Sequence, residues 1–89
     1  MATMFVRHTI SDYKVWRKVY DDFAAIQKAK GVTSQAVYKA ADNPNDITVT
    51  HEFGSVEAAQ AFAKSAKLKS AMQGAGVVGT PTIWFTNKV

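Results

Sequence analysis

The chain has no cysteine, only two prolines, and seven acidic residues against eleven basic ones. Without cysteine there is no disulfide framework and no thiolate metal site, and a reducing interior is permitted. No window approaches the roughly 18 apolar residues that a membrane span requires. The opening, MATMFVRHTI, lacks a basic segment followed by a long apolar run and a small-residue cleavage site, so it does not read as a secretory signal. These absences point to the cytoplasm, with no membrane partner.

What is present is a chain of 89 residues, 47% of them hydrophobic, with a formal charge of +4. That suits one domain spanning 1–89. So short a chain buries a limited fraction of its surface, and association with a second copy is a natural source of further burial. The basic residues are dispersed: Lys14, Arg17, Lys18, Lys28 and Lys30 in one segment, Lys64, Lys67 and Lys69 in another. They fall between apolar positions at helical spacing and read as solvated helix faces. Nucleic-acid binding needs a clustered patch with a reading element, and neither is evident.

Residues 3–10 (TMFVRHTI) are rich in β-branched and aromatic types and predict a first strand. Ser11 offers an N-cap, and Asp12 places negative charge in the first turn of a helix. Tyr13, Trp16, Val19, Tyr20, Phe23 and Ile26 recur as one stripe at 3.6-residue spacing, and Gly31 stands as the C′ residue. Residues 32–40 (VTSQAVYKA) predict a second strand, ADNPND a tight connection, and ITVTHEF (47–53) a third strand, which makes a hairpin. Ser55 caps a second helix whose stripe is Ala58 or Ala59, Phe62, Ala66 and Met72. Leu68 falls off that stripe, so a break is expected near Ser65. GAGVVG makes a loop, and TPTIWFTN the fourth strand, with Pro81 tolerated at its start or on an edge.

The order β-α-β-β-α-β is the ferredoxin-like, split βαβ arrangement of the α+β class. Right-handed crossovers put strands one and three at the centre of a four-stranded antiparallel sheet, with both helices on one face. Alternation sends Met4, Val6, His8 and Ile10, with Ile47, Val49, His51 and Phe53, toward the helices. Phe5, Arg7, Glu52, Trp84 and Val37 then share the opposite face with threonines. That mixture suits neither free solvent nor a dry core, and a second sheet packed over it resolves the conflict. The expectation is a homodimer, with Arg7 and Glu52 as an ion pair or dimer contact and Trp84 as an interface anchor.

His8 is the candidate general acid or base, since its ordinary pKa lies near neutrality and it faces an otherwise apolar helix side. The other reading is a core histidine bonded to a backbone carbonyl or a helix tyrosine. Trp16, Tyr20, His51 and Phe62 would shape a pocket for a small apolar or aromatic molecule, or simply pack the core. The two histidines fall toward opposite ends of antiparallel strands and no carboxylate stands at ligand spacing, so no metal is expected. His51-Glu52 is not HExxH, and the two side chains face opposite ways. Residues 74–79 match GxGxxG letter for letter, but in the order helix, loop, strand; a dinucleotide site needs strand, loop, helix, and no cofactor is expected.

VRHTISDYKVWRKVYDD, ADNPNDITVTHEFGSVEAAQAFAKS and LKSAMQGAGV resemble the small antibiotic-biosynthesis-monooxygenase-like proteins of the dimeric α/β-barrel superfamily, over nearly the whole chain. The resemblance implies a dimer whose two sheets form a barrel, with a pocket between sheet and helices in each subunit. Relatives include cofactor-independent oxygenases of aromatic polyketides, haem-degrading enzymes, polyketide cyclases and stress-responsive proteins with no assigned reaction. No complete catalytic motif of any branch is present, so the resemblance assigns no catalytic residue. The expectations are a cofactor-independent monooxygenase of an aromatic or polyketide-like substrate, a non-enzymatic stress-responsive binding protein, or a haem-binding or cyclase-type member.

Overall fold

The computed structural model describes residues 2–89. Its elements run β1 (Ala2–Ile10), α1 (Tyr13–Asp22), α2 (Ala24–Ala29), β2 (Ser34–Ala40), β3 (Asn43–Phe53), α3 (Val56–Ala63), α4 (Ala66–Gly74) and β4 (Val77–Asn87). The strands form one antiparallel sheet in the order β2-β3-β1-β4, and the helices cover one face of it. The fold is ferredoxin-like, with the two longest-range pairings made by β1 at the centre.

Each predicted helix is broken once. Asp12, rather than Ser11, is the N-cap of α1: its Oδ1 accepts from the backbone N–H of Lys14 at 2.8 Å and of Val15 at 3.4 Å. Phe23 interrupts the first helix with ψ near −6°, so α1 and α2 replace the single predicted helix. Gly31, at φ +99°, closes α2, with Val32 N–H donating to the Gln27 carbonyl and Gly31 N–H to that of Lys28. That is a Schellman ending, which favours glycine because φ is positive. Ser55 Oγ accepts from Ala58 N–H at 3.2 Å and starts α3. The expected break near Ser65 is present, and it changes which residues of α4 face inward: Leu68 is buried and Ala66 exposed, the reverse of the predicted stripe.

The sheet faces follow the alternation. Ala2, Met4, Val6, His8 and Ile10 are buried on β1, and Ile47, Val49, His51 and Phe53 on β3. Val37 differs from expectation: it stands directly opposite Val49 and packs on the helix side. The hairpin explains this. Lys39 pairs with Ile47 but Ala40 with Asn43, so three extra residues of β3 bulge beside one step of β2. Asn43 Oδ1 accepts from Asn45 N–H at 3.0 Å within that bulge.

A second irregularity lies beside His8. Arg7 pairs with Thr82 and Thr9 with Val78, so Gly79, Thr80 and Pro81 of β4 stand against His8 alone. Pro81 is tolerated here because β4 is an edge strand and the ladder is already interrupted. The core beneath the helices has two lobes. One gathers around Met4, Phe53 and Phe62, the other around Ile10, Trp16 and Ile47.

Candidate functional site

A cavity lies where the two lobes meet. Val6 and Val49, paired across β1 and β3, form its floor, and Trp16, Val19, Tyr20 and Phe23 from the first helix its roof. Leu68, Ala71, Met72 and Ala75 close the side toward α4. About 430 Å³ is free of protein atoms, including the mouth, and about 50 Å³ of it accepts the centre of a water-sized sphere. The wall is nearly all apolar. An enclosed space of that size has room for a few waters.

His8 and His51 interrupt that wall. Met4 pairs with His51 and His8 with Ile47, so the two histidines share the inner face and stand four residues apart along the strands, one on each side of the Val6–Val49 pair. They do lie toward opposite ends of the sheet, yet both line one cavity. His8 is 7% exposed and His51 3%. Neither Nδ1 nor Nε2 of either ring has a hydrogen-bonding partner among the described residues. The expected backbone or tyrosine partner for His8 is therefore not found.

Burial sets the charge state of both. Desolvation pushes the His51 pKa down to about 4. Desolvation also lowers that of His8, with the charge of Asp46 acting weakly in the opposite direction. Both imidazoles are neutral near pH 7, and each presents one N–H donor and one bare nitrogen acceptor.

Aromatic rings connect them across the roof. Centroids lie 5.7 Å apart for His8–Trp16, 5.0 Å for Trp16–Tyr20 and 6.3 Å for Tyr20–His51. The Tyr20 hydroxyl donates to Gln35 Oε1 on β2, and burial chiefly raises its pKa to about 12, so it stays protonated. Phe62 does not join the cavity wall as expected. It is fully buried behind His51, at 5.4 Å, and packs against Phe23 and Phe53. Gln27, which the sequence reading passed over, lines the cavity at 4% exposure. Its place four residues after Phe23 and seven after Tyr20 puts it on the predicted stripe, and only its polarity hid it.

On the other face of the sheet, Phe5 and Trp84 are direct cross-strand partners and stack, with centroids 5.1 Å apart and planes within 4°. Arg7 does not pair with Glu52. Glu52 stands opposite Thr3, four residues along β1, while Arg7 grips Asp46 with Nε–Oδ1 at 3.1 Å and a second contact at 2.6 Å. The hydrogen bond from Arg7 holds the Asp46 carboxyl below the usual carboxylate range. Sequence reasoning had Asp46 in the turn; the hairpin bulge brings it opposite Thr9 and into reach. Among the described residues no group of three or more His, Cys, Asp or Glu side chains is placed to hold a metal ion, and no helix is long and apolar enough to cross a membrane.

No family model and no curated protein matches the sequence. Solved structures do match the fold. A protein from Bordetella bronchiseptica, provisionally named an antibiotic biosynthesis monooxygenase, superposes with a TM-score of 0.82 at 13% identity, covering 99% of this chain and 96% of its own. SnoaB from Streptomyces nogalater, a cofactor-independent oxygenase, gives 0.77 at 13% identity, with 98% and 91% covered. NE2512 from Nitrosomonas europaea, a protein of unknown function, gives 0.74 at 18% identity, with 96% and 85% covered. The chain has the antibiotic-biosynthesis-monooxygenase-like fold over its full length. At these identities the likeness concerns the fold, and the same fold serves unrelated reactions.

Proposed function

We propose that this chain is a homodimeric protein that binds a small, flat, largely apolar molecule between sheet and helices and oxidises it with dioxygen, His8 acting as general base. The observation that supports it is the pair of neutral, unpartnered histidines set in an apolar, aromatic-roofed cavity. Burying polar nitrogens without partners is costly, and a ligand carrying hydroxyl or keto oxygens supplies them. The oxygenase activity in SnoaB's description belongs to that protein and lends the reading its reaction type.

In this reading His8 takes a proton from an acidic ring position or hydroxyl of the substrate, leaving an electron-rich anion. That anion reduces dioxygen, so that a ring CH₂ and O₂ become a ring carbonyl and water. A neutral imidazole held below its ordinary pKa is free to accept the proton, and the apolar walls keep solvent from quenching the anion. Self-association is supported by the Phe5–Trp84 stack and the Arg7–Asp46 pair on the uncovered sheet face, where a second sheet would bury the aromatics. The same reading places the chain in the cytoplasm.

The test combines binding and turnover. Trp84→Phe leaves Trp16 as the only indole, so its fluorescence reports occupancy by an anthrone, and an oxygen electrode reports oxidation. Saturable quenching with oxygen uptake that His8→Ala abolishes is expected. Unchanged uptake in His8→Ala rejects the base.

The narrowness of the cavity supports a second reading, a non-enzymatic binding protein; quenching without oxygen uptake by any hydroxylated aromatic would establish it. The haem-binding expectation is tested by titration with haem: a Soret band shifted by the protein supports it, and an unshifted spectrum removes it.

A further inference from the structure

We propose that the groove between α4 and the edge strand β4 is a second binding site, for an anionic single-chain amphiphile: a carboxylate, sulfate or phosphate head on an unbranched alkyl tail. This groove opens away from the two histidines. Leu68 and Met72 form the partition between it and the inner cavity, lining both.

The groove exists because small residues meet two backbone irregularities. The second helical segment breaks at Ser65, between α3 and α4, and β4 leaves the ladder over Gly79, Thr80 and Pro81. Ala63, Ser65 and Ala66 stand at that break and are too short to fill the gap. About 640 Å³ there accepts the centre of a water-sized sphere, against about 50 Å³ in the inner cavity. Leu68, Met72, Val77 and Ile83 give it an apolar floor. The nine residues of α4 run for about 13 Å at about 1.5 Å each, the reach of an extended alkyl chain of medium length.

Charge decides the head. Residues 1–57 hold seven acidic and seven basic side chains, whereas residues 58–89 hold Lys64, Lys67, Lys69 and Lys88 and no acid. The whole formal charge of +4 therefore resides in the segment that builds the groove. Lys64 and Lys69 line it, both are exposed, and neither makes an ion pair among the described residues. A neutral chain gains nothing from that field, and a compact polyanion gains nothing from the apolar floor. A molecule with one anionic and one apolar end uses both.

Acetate, hexanoate, octanoate, decanoate and decanol, each below its aggregation concentration, test this by calorimetry and amide chemical shifts on the full chain. A fully buried CH₂ gains about fourfold in affinity and one resting in an open groove about twofold, so each added pair should tighten binding about fourfold. Combining Lys64→Gln with Lys69→Gln should weaken decanoate about tenfold and leave decanol unchanged. Ala66→Trp, at an exposed position of the groove wall, should block both. Shifts should fall on residues 63–73 and 77–83. Acetate that binds as tightly as decanoate, decanoate affinity that survives the double lysine variant, or shifts centred on Val6, Trp16 and Val49 of the inner cavity would each overturn the proposal. So would failure of decanoate to bind, including the case in which vesicles of anionic phospholipid capture the protein and assign the lysines to a membrane surface.

Discussion

Acid should unfold this protein through His51, and a single substitution should show how much. The ring is 3% exposed, and burial alone brings its pKa from the ordinary 6.5 to about 4. The unfolded chain therefore takes up a proton first, between pH 6.5 and about 4, while the folded state stays neutral. The unfolded state binds more protons across that window, so stability falls as pH falls, and it is fully present only above about 6.5. Linkage gives a loss of about 2 kcal/mol at pH 5, approaching about 3 kcal/mol near pH 4. For a domain of this size, whose whole stability is about 5–10 kcal/mol, that is a large share.

His51→Phe removes the titrating group and keeps an aromatic ring against Phe62 and Tyr20, with the cavity alongside to absorb the added volume. Urea unfolding of both proteins at pH 7.5, 6, 5 and 4.5 isolates the contribution, because His8 and the carboxylates titrate in both and cancel. With slopes of about 1–3 kcal/mol per molar urea, the wild-type midpoint should fall about 1 M further than that of the variant between pH 7.5 and 5. Parallel midpoints across the series would refute a buried, neutral, uncompensated His51.

Three further outcomes follow from the geometry. Trp84→Asp places a carboxylate beside Phe5 on the uncovered sheet face and should abolish the proposed self-association; a wild type that sediments as a monomer, or a variant that sediments as a dimer, refutes an interface on this face. Gly76→Ala sets a side chain at φ +79°, with its Cβ 2.6 Å from Ser11 Oγ, and should cost about 1–3 kcal/mol. Adding Ser11→Ala to it should recover part of the lost melting temperature, since only the steric part is relieved. Phe62→Ala empties the space between Phe23, Phe53 and His51 and should cost about 3–5 kcal/mol in chemical unfolding.

The architecture was legible because several local signals agreed. Alternation assigned β1 and β3 correctly, Ser55 and Gly31 marked helix ends, and the stripe from Tyr13 to Ile26 located the roof of the cavity. What failed to show were consequences of irregular backbone. The hairpin bulge carries three extra residues, which reverses the face of Val37 and brings Asp46 to Arg7; no periodicity within β2 or β3 contains that information. The break at Ser65 was visible through Leu68, but the new phase of α4 was not. At the site, His8, Trp16, Tyr20 and His51 are legible in the strand alternation and the helix stripe, and the structure brings them to one cavity. Phe62 was misplaced because a buried aromatic and a lining aromatic look alike in sequence, and Gln27 was missed because a polar residue on an apolar stripe reads as an edge position.

The central position of β1 also bears on how the chain reaches this structure. The β2–β3 hairpin closes locally, within microseconds for such a unit. β1 must instead find β3 across about 40 residues and β4 across about 75, from Arg7 to Thr48 and to Thr82. Contacts of that separation form late, after most of the loop-closure entropy has been lost, and they set the rate of the whole process. Val6 and His8 are thus the floor and one end of a cavity that does not exist until β1 is in register with β3. Mutations there should slow folding more than they accelerate unfolding, so the time the cavity takes to appear would be governed by the seam between β1 and β3.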